Sequence, residues 1–405
     1  MRPRLARPEA EGYIRRHRPD YALVLITSLL LIFGAVVVYT ISPALEQSAV
    51  LYRQLLHIGL AAVAFGVASV MPLTWWRKVH VPILLSGLAA SLLLLVPGLA
   101  IEVNGATRWL NLGELSFQPA ELLKFGLVIY LAVWLSERVR TGRLNNTHDT
   151  LMPIMITTAV LGLIIAGLQK DLGTMVSVAC IILTMLFVSG LKLAHLGRFT
   201  AMMMAAGVAG TLLFPHRLAR LSTFIDPSRD VDGAGYHINQ ALIAIGSGGW
   251  FGRGLGKSVQ VFGYLPEAIN DSIFAILAEQ FGFVGSALVL FLYGALAVRL
   301  LRLIERSPNL YLKLLAAGIF GWLVSHVLIN VGAMLGLMPL TGITLPFLSL
   351  GGTSLVFITA AFGIAFNISR FSSLSYVKED KSANLAGRRG NRWSRSAAHS
   401  ARLRA

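Results

Sequence analysis

Between Gly252 and Gly285 a glycine-rich, basic segment runs through Leu265-Pro266-Glu267 into an apolar stretch, with Asp271 near its first turn and Glu279 about two turns further in. A carboxylate entering a membrane span is neutralised, paired or turned towards a water-filled cavity, so such a group marks a functional site by default. Partial burial raises its pKa, and a carboxylate so tuned can act as a general base. The alternative is structural, because an acid at a helix start also satisfies free N–H groups and the helix dipole. Residue type alone leaves both open.

Two other loci carry charge into apolar sequence. Glu121 and Lys124 follow Pro119, a residue suited to the first turn of a helix, and their i,i+3 spacing puts both charges on one face. A salt bridge holding a helix is one reading; their place inside an apolar span argues that both face a bundle interior. Asp171, in Gln169-Lys170-Asp171-Leu172-Gly173-Thr174, could serve simply as an N-cap. Arg108-Trp109 pairs a cation with an amphipathic ring of the kind found at headgroup level. Arg217, Arg220, Arg229, Arg253 and Lys257 make the segment 215–270 basic, which suits an anionic substrate such as a pyrophosphate. Solvated surface charge is the alternative there, given Asp226, Asp230 and Asp232.

The elements that must position these groups are membrane helices. The 405 residues are 55% hydrophobic and 13% charged, with mean hydropathy +0.69, which excludes an ordinary soluble globular protein. Ten apolar runs are long enough to cross a bilayer: Tyr21 to Ile41, Leu55 to Met71, Val79 to Val96, Pro119 to Leu135, Leu151 to Leu168, Leu172 to Leu191, Leu196 to Phe214, Ser272 to Leu301, Leu312 to Leu337 and Leu355 to Ile368. Backbone groups without water force them into helices. The fold class expected is therefore an all-α polytopic membrane protein of about ten transmembrane helices. Both termini are cytoplasmic, which leaves most of the 35 Lys and Arg inside. One large extracytoplasmic loop, 215–270, lies between helices 7 and 8. Residues 1–20 form a basic cytoplasmic tail, 21–371 the membrane domain, and 372–405 a basic tail with few core-forming residues, expected to be disordered.

The net charge of +16 sits mainly in these tails, where it can set topology and meet anionic lipid, so it needs no nucleic acid. Cys180 is the only cysteine and lies in an apolar span, which excludes an intrachain disulfide. The first apolar run follows a basic tail without a small-residue cleavage site, and reads as a retained helix. Ile238, Leu242, Ile243 and Ile245 suggest an interfacial amphipathic helix within the long loop. The glycines of GSGGWFGRGLGK lack the strand and spacing of a nucleotide loop.

Four motifs in order resemble the SEDS family (shape, elongation, division and sporulation). Gly105, Ala106, Arg108 and Trp109, then Gln118, Pro119, Glu121 and Lys124, resemble its G-A-x-R-W and Q-P-x-E-x-x-K segments. Gln169, Asp171, Leu172, Gly173 and Thr174 match Q-x-D-L-G-T. GRGLGKSVQ, YLPEA, an Asp and IFAILAEQFGFVG resemble its long outer loop and following helix, and Pro339, Gly342, Leu345, Pro346, Ser349, Gly351 and Gly352 match P-x-x-G-x-x-L-P-x-x-S-x-G-G. The PEA form is closer to the division branch, FtsW, than to the elongation branch, RodA. One departure stands out: the family carries His-Thr before the aspartate and Phe after it, whereas this chain has Ile269, Asn270 and Ser272.

The resemblance implies a peptidoglycan glycosyltransferase that polymerises lipid II at the outer face of the bacterial cytoplasmic membrane, at the division septum. It puts the essential aspartate on Asp271, as the base for the acceptor 4-hydroxyl, with inversion. The substrate-binding set expected around it is Arg108, Trp109, Arg217, Arg220, Lys257 and Glu267. Arg217, Arg220 and Lys257 are the pyrophosphate partners among which sequence does not choose. Glu121, Lys124, Asp171 and Glu279 are the structural or cavity charges, with Lys124 paired to Asp171. A divalent cation, Mg or Mn, bridging Asp271 and phosphate stays open. The partners implied are a single-pass class B penicillin-binding protein transpeptidase and other division-complex membrane proteins. Gly282, Gly285, Ala287 and Gly294, with Ala317, Gly318 and Gly321, offer small residues for the partner's helix, or pack the bundle internally. A lipid-linked precursor flippase and a catalytically silent scaffold would share most of these features.

Overall fold

The computed structural model of the chain describes residues 15–16, 18–45, 49–103, 106–113, 115–212, 215–226 and 233–372. Gly105, Phe214, Arg229, Asp230, Asp232 and nearly all of both tails lie outside the described residues. A two-residue strand β1 (Arg15–Arg16) is followed by α1 (Tyr21–Ile41), α2 (Ala49–Val70) and α3 (Leu73–Leu92). Three short strands come next: β2 (Ala100–Val103), β3 (Ala106–Leu112) and β4 (Leu115–Phe117). Then come α4 (Pro119–Arg140), α5 (Met152–Gly162, flanked by π-helical turns), α6 (Leu172–Val188) and α7 (Leu193–Leu212). The long loop holds α8 (Pro215–Ile225) and α9 (Ala234–Ser247). The chain closes with α10 (Ile273–Arg306), α11 (Leu310–Met334), α12 (Gly352–Ile368) and β5 (Phe371–Ser372), which pairs antiparallel with β1.

Each apolar run read from sequence overlaps a helix. Among the described residues, seven helical segments are long and apolar enough to cross a bilayer. α6 and α12 are apolar but shorter, at 17 residues each, and α7, which carries His195 and Arg198, is not among the seven.

Burial identifies the centre of the bundle. The windows of α4 and α11 are 72% and 78% buried, against 33% or less for the other five spans, so these two helices are enclosed and the rest present apolar faces outwards. α11 packs on α4, α6 and α10, while α4 also packs on α3. Gly318 and Gly321 belong to this core. A Cβ at Gly318 would come within 2.7 Å of Val128 Cγ1, and one at Gly321 within 2.9 Å of Thr184 Oγ1. Ala317 is fully buried beside them. The α11 part of the expected partner groove is therefore internal packing against α4 and α6; on α10, Gly282 and Gly285 are also buried, Ala287 is half-buried, and Gly294 is exposed with open space at its Cβ.

The eighth apolar run is not one smooth helix. Gly282 breaks α10 at φ 67 and ψ −163, a conformation open only to glycine. The glycine-rich loop fills the break with backbone bonds: Arg253 N donates to Glu279 O, Gly254 N to Gln280 O, Phe283 N to Gly249 O and Val284 N to Trp250 O. Backbone groups freed at membrane depth are satisfied by docked chain, as an apolar setting demands.

The segment before α4 is a three-stranded antiparallel sheet in the order β2-β3-β4, a departure from the all-α expectation. A register shift between Ile101 and Glu102 breaks the alternation that would have betrayed it. The sheet is tied to the bundle where Gln118 N donates to Thr353 Oγ1, whose hydroxyl donates to Ser116 O.

Candidate active site

A cavity of about 1130 Å³ opens beneath the sheet, between the Pro266–Asp271 turn, the irregular segment 340–344, α2, α4, α11 and the N-terminus of α12. Its lining brings together Arg108, Trp109, Glu121, Asp171, Glu267 and Asp271, residues that the sequence places far apart. Lys257 is exposed on the glycine-rich loop and does not line it. The reason is local: the loop is clamped to α10 on the far side of the turn. Arg217 and Arg220 fall on α8, and their side chains lie outside what is described.

Asp271 is half-buried, one residue before the N-cap of α10. The N-cap position belongs to Ser272, whose hydroxyl makes no capping bond. Asn330 Nδ2 holds Asp271 O at 2.7 Å and Ile343 O at 2.7 Å, joining the aspartate turn to the irregular segment. A Cβ at Gly342 would lie 3.7 Å from Arg108 Nη1 and 3.9 Å from Asp271 Oδ2. Glycine at this point, at φ 72, keeps a side chain away from both the carboxylate and the guanidinium.

Arg108 is aimed by two carbonyls. Its Nε donates to Gln169 O at 3.2 Å and its Nη2 to Lys170 O at 2.8 Å, while Lys170 sits at φ 52. Nη1 is left towards the cavity. The Q-x-D-L-G-T segment thus holds an arginine through its backbone, and its aspartate does a separate job: Asp171 caps α6, accepting from Thr174 N at 3.0 Å and Thr174 Oγ1 at 2.8 Å.

The expected Lys124–Asp171 pair is not formed. Lys124 Nζ, wholly buried, donates to Glu121 Oε1 at 2.8 Å and contacts His326 Nε2 at 2.8 Å. A carboxylate one turn away on the same helix reaches the ammonium without crossing the bundle, and Asp171 is already used by its own helix. Trp322 Nε1 also donates to His326 Nε2, so that nitrogen carries the lone pair, and Nδ1–H points to Thr344 O at 3.3 Å. Glu121 Oε2 has no hydrogen-bond partner among the described residues.

Glu279 is also fully buried but faces the loop. It accepts from Ser258 Oγ and from Val259 N at 2.9 Å, with Arg253 Nη1 at 3.7 Å. Its role is to clamp the glycine-rich segment.

Sequence reasoning passed over His326 and Asn330. They stand at i and i+4 on a span otherwise read as apolar, and a polar pair on one face of a membrane helix was the available signal. It also passed over Arg53 and His57 on α2, and His237 on α9, all of which line the cavity. Burial pushes the His237 imidazole below its ordinary pKa, with Glu267 acting weakly the other way.

The replacements at 269, 270 and 272 are structurally employed. Ile269 O accepts from Leu350 N, Asn270 Nδ2 donates to Glu267 Oε2 at 2.6 Å, and Ser272 Oγ donates to Pro266 O at 2.8 Å. Chemically, the cavity offers a half-buried carboxylate as proton acceptor and a facing guanidinium for developing negative charge.

The chain is similar to known proteins over most of its length. The family model described as a cell cycle protein, bearing the names FtsW, RodA and SpoVE, matches residues 20–374. Stage V sporulation protein E of Bacillus subtilis is 38% identical over 368 residues, covering 88% of this chain and 99% of its own. A probable peptidoglycan glycosyltransferase FtsW of Coxiella burnetii is 35% identical over 359 residues, covering 86% and 96%. Among solved structures, a chain of a peptidoglycan synthase complex that coordinates polymerization and crosslinking superposes with TM-score 0.72 at 30% identity, covering 87% of this chain and 98% of that one. The rod shape determining protein RodA of Thermus thermophilus gives TM-score 0.65 at 31% identity, covering 87% and 97%.

Proposed function

The chain belongs to the FtsW/RodA/SpoVE family of cell cycle proteins, and from that membership we infer how it works. It is a polytopic helical membrane protein and a peptidoglycan glycosyltransferase similar to FtsW. Its finer assignment is polymerisation of lipid II at the outer face of the cytoplasmic membrane, for septal wall synthesis, beside a class B penicillin-binding protein. Ten crossings with both termini inside would put the sheet and the α8–α9 loop on that outer face.

The observation that supports the mechanism is that Asp271 Oδ2 and Arg108 Nη1 both approach Gly342 in the wall of one cavity. Asp271 takes the proton of the acceptor 4-hydroxyl as that oxygen attacks the donor anomeric carbon from the face opposite the leaving group. The new C–O bond forms as the bond to the lipid pyrophosphate breaks. The electron pair leaves on the phosphate oxygen, and the configuration inverts. Among the described residues, Arg108 and Arg53 are the arginines lining the cavity, and they take the place given to Lys257 as partners of the departing pyrophosphate. Trp109 and Glu267 also line the cavity, where they would meet the sugars. Among the described residues no group of three or more His, Cys, Asp or Glu is gathered to hold a metal. A divalent cation, if bound, would be held by Asp271 with phosphate and water oxygens and would neutralise charge on the departing pyrophosphate.

Reconstitution tests the proposal. Purified protein in liposomes containing lipid II should yield glycan polymer; transbilayer movement of lipid II without polymer would mean a carrier, and neither product a scaffold.

A further inference from the structure

The turn that carries Asp271 is held largely through its main chain. Asn330 Nδ2 grips Asp271 O, Leu350 N grips Ile269 O at 2.9 Å, and Glu267 O accepts from Asn270 N at 3.0 Å and Ser272 N at 3.2 Å. One further hold comes through a side chain from α9. Ser272, fully buried, commits its single hydroxyl proton to Pro266 O, and His237 Nε2 lies 2.6 Å from the same oxygen. The nitrogen must then be the donor, so His237 is the Nε2–H tautomer and Ser272 Oγ its acceptor.

We propose that His237 is a positioning residue for glycosyl transfer, whose Nε2–H fixes Ser272 and thereby the place of the adjacent Asp271 carboxylate in the cavity. Backbone strain makes the hold matter. Glu267, at the head of the turn, adopts φ 50, a left-handed conformation that a non-glycine residue keeps only under restraint from its surroundings. Without the imidazole the buried Ser272 oxygen loses its donor and the turn is free to relax. A displacement of the base by about 1 Å costs roughly a hundredfold in rate. Because its Nε2–H is spent on Ser272 and acts through the turn, removing it should act on turnover and leave substrate capture little changed.

The proposal rests on Asp271 as the base, so Asp271→Asn is assayed alongside. With lipid II in liposomes, His237→Ala should lower kcat by about ten- to a hundredfold with KM nearly unchanged. His237→Gln, whose amide can present an N–H to Ser272, should recover most of the rate. Ser272→Ala should lose a similar factor, and the double variant His237→Ala/Ser272→Ala no more than either single change. Normal turnover in His237→Ala with Asp271→Asn inactive would overturn the positioning role alone. So would a His237→Gln protein no better than His237→Ala, or a raised KM at intact kcat. Full activity of Asp271→Asn would overturn the base assignment instead.

Discussion

Replacing Lys124 with methionine should expose how the centre of the bundle is wired. Lys124 and Glu121 are 0% and 4% exposed at the side chain and 2.8 Å apart, and Glu121 Oε2 already lacks a hydrogen bond among the described residues. Lys124→Met leaves that carboxylate with neither oxygen compensated in an enclosed site, a change that costs about 3–5 kcal/mol when one partner of a buried pair is removed. Protonation of Glu121 would recover part of this. Lys124→Met/Glu121→Gln should be distinctly more stable than the sum of the single losses, with a coupling of about 1–3 kcal/mol. Asp171→Asn keeps a capping oxygen on Thr174 and should cost only tenths of a kcal/mol, additively with Lys124→Met. The assay is unfolding of the detergent-solubilised variants in both double-mutant cycles. Strong coupling of Lys124 to Asp171, with none to Glu121, would refute the wiring described here.

Other substitutions test the packing and the loop. Gly282→Ala puts a Cβ 2.3 Å from Gly252 N at a positive φ, and should lower stability by about 2–6 kcal/mol, read in the same unfolding assay. Gly318→Leu should destabilise the isolated protein by about 1–3 kcal/mol or more, because it drives atoms into Val128 and Met185; unchanged stability with loss of a partner would restore the lipid-facing groove. Glu279→Gln should free the glycine-rich loop, seen as faster proteolysis at Arg253 or Lys257. His237 sits below its ordinary pKa, so its folded state prefers the neutral ring: that stability is present above the unfolded pKa of about 6.5 and is lost as pH falls through the folded value. The melting temperature should therefore drop more steeply below pH 6.5 in the parent than in His237→Gln.

The helices were legible because a bilayer imposes length and apolarity, and both are written in composition. Asp271, Arg108 and Glu121 were legible as charges out of place, and the cavity does gather them. Three features escaped for physical reasons. The break at Gly282 is made by a loop some thirty residues upstream docking its amides, and an apolar run does not reveal which of its glycines will take positive φ. At Lys124 what escaped was the choice between readings the sequence left open: it takes Glu121, one turn away, and not the Asp171 that the resemblance implied, because capping of α6 holds the second carboxylate. His237 reaches Ser272 from 35 residues away, and no spacing rule joins a loop helix to the N-cap of another.

The central claim is that Asp271 accepts the acceptor's proton. The most direct measurement is glycan polymerisation from lipid II by purified Asp271→Asn protein in liposomes, with folding checked by an unchanged melting profile and lipid II binding measured separately. The mechanism predicts a folded protein that binds lipid II and makes no polymer. Glycan strands at the parental rate from that protein would contradict it.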